Sequence, residues 1–167
     1  MTPFVVGLLH LLLVPTHLMA VLALTLLIGQ QNWGYGVPAI YAAAVLVGLG
    51  AIAMAYVPTR AEQCLLASAA SAGALVALAR PLPRAMGWLV AAASGLALAL
   101  DSPPEAIALQ DANLTLLGTA ISAIVVLVFL LLMISRLHRA WQGIGTRIVG
   151  SWIAASAILV LALRFVR

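Results

Sequence analysis

His10 and His17 stand seven residues apart inside an apolar stretch that runs from Phe4 to Ile28. An imidazole in such surroundings can bind a metal ion or carry a proton, and in lipid it is costly unless something pairs with it. In a straight helix seven residues return to almost the same face and advance about 10 Å. Metal–imidazole bonds are about 2 Å long, so one ion cannot take both rings at that separation. The spacing therefore predicts two stations along one stripe, each completed by groups from other helices. The plainer alternative is a neutral ring bonded to a neighbouring helix's carbonyl or hydroxyl. Pro15 lies between the two histidines; it deletes the helical bond to the Leu11 carbonyl and predicts a kink that frees this oxygen.

The elements that must position these rings are membrane helices. With 65% hydrophobic and 7% charged residues among 167, too few polar groups exist to cover a water-soluble globule. This predicts an all-α, polytopic bundle in the lipid bilayer, a single membrane domain over residues 1–167. Six stretches are long and apolar enough to be read as spans: 4–28, 37–57, 62–79, 85–100, 113–135 and 148–166. The first lacks a basic leader and exceeds the apolar core of a secretion signal, so it reads as a true span. The joints carry turn or charged residues, such as Pro58-Thr59-Arg60, Arg80 to Arg84, Asp-Ser-Pro-Pro from Asp101, and Arg136 to Arg147 with Gly143 and Gly145. None is long enough to fold as a domain.

The basic residues are all arginines, eight against four acids, and lie scattered between apolar runs. That pattern flanks membrane helices and excludes a nucleic-acid partner. Arg80, Arg84, Arg136, Arg139 and Arg147 fall on one side of six crossings with no acid, which places that side in the cytoplasm and both termini on the outer, periplasmic side of a bacterial inner membrane. Glu62, Asp101, Glu105 and Asp111 then all lie at the outer surface. Either acids merely avoid the cytoplasmic loops, or they form an outward mouth that attracts cations.

Small residues predict which helices pack closely. Gly48, Gly50, Gly73, Ala91, Gly95 and Ala99 fall in the second to fourth spans, which are expected to form the inner bundle. The bulky run Ile124 to Met133 is expected to face lipid. Trp33, Tyr35, Trp88, Trp141 and Trp152 read as interfacial anchors. Cys64 reads as a small packing residue, and His138, between Arg136 and Arg139, as part of a basic headgroup region. No phosphate loop, nucleophile elbow, zinc-protease helix or haem-attachment motif is present, so an enzyme is not expected.

His10-Leu-Leu-Leu-Val-Pro-Thr-His17, continuing alanine-rich to Gln30, resembles the first-helix motif of the HupE/UreJ family of hydrogenase and urease accessory membrane proteins. The histidine spacing matches; Thr16 stands where the family has aspartate. Glu62, opening a helix that ends Ala-Leu-Val-Ala-Leu, is similar to the family's third helix. Ser94-Gly95-Leu96-Ala97-Leu98-Ala99-Leu100-Asp101, with Pro103 beyond, matches the family's fourth-helix pattern His-Gly-x-Ala-His-Gly-x-Glu. Both of its histidines are replaced, by Ser94 and Leu98, and Asp101 shortens its glutamate.

The resemblance implies handling of nickel or a similar divalent ion, with His10, His17, Glu62 and Asp101 as candidate ligands. His10, Glu62 and Asp101 are expected to converge at the outer mouth, with His17 as the deeper station. Mixed nitrogen and oxygen ligation suits nickel, cobalt or zinc alike. Two functions follow: a divalent-metal permease or accessory protein with a reduced ligand set, or a non-transporting structural or assembly subunit docked on other membrane subunits.

Overall fold

The apolar stretch that opens the chain forms two helices, α1 (Pro3–Leu13) and α2 (Pro15–Gln31). The residue before a proline is pushed toward extended backbone, and Val14 lies there at φ −95° and ψ 106°. Its N–H still closes α1 on the His10 carbonyl at 3.0 Å. Pro15 becomes the first residue of α2, where a missing N–H deletes no helical bond. The two axes differ by 66°. The expected kink is thus a full break.

The remaining helices are α3 (Gly36–Ala53), α4 (Ala61–Leu78), α5 (Arg84–Leu100), α6 (Leu109–Ile134) and α7 (Ala140–Val166). The computed structural model describes residues 2–54, 56, 59–104, 108–136 and 140–166, with no strand among them. Among the described residues, four helices are long and apolar enough to cross a membrane: α3, α4, α6 and the stretch Gln142–Arg164 of α7. The bent pair α1 and α2 adds a fifth if taken as one broken span, and α5 is a shorter apolar helix of 17 residues. Gly143 and Gly145, expected in a joint, lie inside α7, which starts eight residues before the expected 148. His138, Arg139, Glu105 and Pro58 lie outside the described residues, as does the side chain of Trp141.

The innermost helix is α2, against the expectation that the second to fourth spans fill the centre. Ala20, Val21, Ala23, Leu24 and Leu27 are all essentially inaccessible, and α2 touches α1, α4, α5, α6 and α7. The most extensive pairings join α4 to α7, α3 to α5 and α1 to α6, and each uses glycine. A side chain at Gly7 would run into the backbone of Thr115, and one at Gly118 into the backbone of Phe4. Backbones that close exclude any larger residue. The bulky face of α6 is exposed at Val125, Phe129 and Leu132, as its composition predicts for a lipid-facing surface.

Long-range contacts fix which helix ends share a level. Gln31 donates from Nε2 to the Arg80 carbonyl at 2.6 Å and accepts from the Leu82 N–H at 3.1 Å. Gln30 donates to the Val76 carbonyl at 3.2 Å. Gly29 meets Ile134, and Gly87 meets the Trp33 ring. The C-terminal ends of α2, α4 and α6 therefore share one end of the bundle with the start of α5. Trp33 is buried at 6% exposure, filling the notch over Gly87, so it is not the expected interfacial anchor. Tyr35, 94% exposed, does project outward. Cys64 is exposed on α4 and is not the packing residue that composition predicts.

Candidate functional site

At the opposite end of the bundle, the break at Val14 brings together what a straight helix would keep apart. His10 occupies the last turn of α1 and His17 the first turn of α2. Their ring centroids lie 5.0 Å apart, with planes tilted by 58°. The expectation of two stations about 10 Å apart, incapable of sharing an ion, assumed a continuous helix and is overturned by the 66° break. His17 is accordingly not a deeper station than His10.

Asp101 completes the cluster. It caps the C-terminal end of α5, where the helix dipole disfavours a negative charge. What it finds there is His17: Oδ2 lies 3.1 Å from Nε2. His17 is 1% exposed and the Asp101 side chain 19%. A carboxylate oxygen accepts, so Nε2 donates, and the neutral ring's lone pair is then on Nδ1. That atom is buried with no hydrogen-bond partner among the described residues. A carboxylate behind one ring nitrogen and a bare lone pair on the other is how metal-binding histidines are commonly held.

The two-ring separation also fits one ion. Bonds of about 2.1 Å to two imidazoles, at an angle near tetrahedral, set the ring centroids about 5 Å apart. Thr16 and Pro15 sit in the same first turn of α2, Thr16 half-buried and Pro15 exposed. Ser94 lies two helical turns along α5 from Asp101 and is buried.

Glu62 does not join the cluster. It opens α4 as expected, but Arg164 of α7 donates to its Oε1 at 2.6 Å. Among the described residues, no group of three or more His, Cys, Asp and Glu is arranged to hold a metal ion, so His10, Glu62 and Asp101 do not form the expected three-ligand mouth. The partnership of Glu62 with Arg164 escaped the sequence reading. A buried tyrosine, Tyr41 of α3, also went unmarked.

A bundle of apolar helices with a broken first span, and with two histidines and an aspartate gathered at one end, is that of an integral membrane protein. The family model described as HupE / UreJ protein matches residues 1–161 of the chain, which belongs to that family. No curated protein and no solved structure matches it.

Proposed function

We propose that the chain is a divalent-metal permease or metal-handling accessory protein of the bacterial inner membrane, in which His10 and His17 hold a nickel, cobalt or zinc ion as cargo. Asp101 orients His17 from behind, and Glu62 serves to join α4 to α7. The observation that carries this reading is the 5.0 Å approach of the two rings across the Val14 break, with Asp101 on the back of one of them. Two nitrogen ligands and water make a weak, exchangeable site, suited to passing an ion on and unable to choose among these three metals.

Metal analysis and calorimetry on the purified protein test it. One nickel, cobalt or zinc ion per chain is expected, with Glu62→Gln binding as the parent does. Binding that vanishes with Glu62→Gln would move the ligand set back to the outer carboxylates. A second reading, a structural or assembly subunit, draws on the absence of any three-ligand group among the described residues. It prevails if the parent binds none of the three metals and is recovered from native membranes in fixed ratio to other subunits.

The reading carries a topology of six crossings: α1 with α2 as one broken span, then α3 to α7. The end bearing Arg80 and Arg84 faces the cytoplasm, and the His17–Asp101 end faces outward. Reporter fusions at Arg84 and Arg136 are expected to be cytoplasmic and fusions at Pro104 external. A cytoplasmic Pro104 fusion would refute this orientation and place the cluster on the inner side.

A further inference from the structure

Among the described residues, the hydroxyl oxygens of Tyr41 and Ser94 are buried without a hydrogen-bond partner, in residues 0% and 1% exposed. An unpaired hydroxyl in an apolar interior is costly, so such a group needs something to bond. Helical serines have a ready solution, and others in this chain take it. Ser68, Ser71, Ser102, Ser135 and Ser151 each donate to a carbonyl three or four residues back, at 2.8 to 2.9 Å. Thr25 of α2 does the same toward Val21 and Leu22. Ser94 does not, and a tyrosine hydroxyl is too far from its own backbone to do so.

The two residues that carry the orphan hydroxyls stand on packed neighbouring helices, α3 and α5. Where α3 crosses α5, a side chain at Gly95 would meet the Tyr41 carbonyl at 2.7 Å and the Tyr41 ring at 3.3 Å. Tyr41 therefore packs beside the residue next to Ser94. Ser94, Leu98 and Asp101 follow one another at four and three residues on one stripe of α5, so Ser94 lies about 10 Å further into the bundle than Asp101. Asp101 meets α2 through His17, and α2 packs on α5.

We propose that the Tyr41 and Ser94 hydroxyls hold ordered water inside the bundle and form a second, inward station, which receives a partly hydrated cation from the His10–His17 pair through its water ligands. Two neutral hydroxyls beyond two imidazoles give the ordering that passage needs: a nitrogen site that captures, then an oxygen site that holds less tightly and releases. The cation half of this proposal rests on the reading under Proposed function. The water half does not.

Hydroxyl-radical labelling by X-ray irradiation of the detergent-solubilised protein reads the water directly, because radicals formed from bound water mark the adjacent side chain. Tyr41 is expected to be labelled despite its burial, at a rate comparable with exposed Tyr35. An unlabelled Tyr41 overturns the proposal. Nickel uptake into proteoliposomes reads the cation half. Tyr41→Phe with Ser94→Ala is expected to slow uptake by about tenfold, the effect of losing one or two hydrogen bonds to the passing ion's water. Calorimetric affinity at the histidine pair should stay at the parent value. Unchanged uptake by this double variant eliminates the station. Tyr41→Phe should unfold no earlier than the parent; a lower unfolding temperature would show a protein partner for the hydroxyl and also overturns the proposal. If the parent takes up no metal while Tyr41 is labelled, the metal reading fails and the internal water stands.

Discussion

His17→Leu is expected to abolish metal binding while leaving the protein folded, and Asp101→Asn to weaken binding by about 10- to 100-fold. The first expectation follows from burial. His17 is 1% exposed, with one nitrogen on Asp101 and the other without a hydrogen-bond partner among the described residues. Leucine removes one buried polar group but leaves the Asp101 carboxylate, 19% exposed, without its donor, so a modest loss of stability with the fold retained is expected. The second follows from geometry. Asp101 lies 3.1 Å from Nε2 and fixes the tautomer that exposes Nδ1; asparagine keeps the shape but can also donate, and so loses that control. Calorimetry gives the affinities, and X-ray absorption of bound nickel separates an orienting role from ligation. With Asp101→Asn the two-imidazole signature should persist. If asparagine binds like the parent, Asp101 has no part in the site.

The apolar stretches were legible because lipid permits only helices that satisfy their own backbone, so length and composition alone mark them. Membership in the family was legible too, from the His10 to His17 spacing and the pattern ending at Asp101, and the match over residues 1–161 agrees. The geometry of the site was not. Pro15 announces a disturbed helix, but whether it bends slightly or breaks by 66° depends on where α1 docks. That docking is set by Gly7 against Gly118, 111 positions away in sequence. The same holds for Glu62, whose partner Arg164 lies 102 residues on. Periodicity within one helix carries no information about such pairings. Trp33 shows the converse error: its place near a helix end predicts an anchor, yet Gly87 opens a notch that buries it.

Because the docking of α1 decides where His10 stands, Gly118→Val is expected to damage site and stability together. A side chain at Gly118 would strike the Phe4 carbonyl and lie 2.9 Å from the Leu8 nitrogen, both backbone atoms that cannot swing aside. The valine must push α1 off α6, and overpacking of this kind costs about 1–3 kcal/mol. Thr119, which donates to the Gly7 carbonyl at 3.4 Å, loses that contact as the helices part. His10 moves with α1, whereas His17 and Asp101 are held by α2 and α5. Metal affinity should therefore fall by at least tenfold, through loss of one imidazole, even where the variant still folds. Gly50→Val supplies the control, since no described residue lies within 4 Å of a side chain at that position. Thermal unfolding in detergent and calorimetry on the same samples decide the matter. A Gly118→Val protein that unfolds earlier but binds metal like the parent would show that His10 is not a ligand.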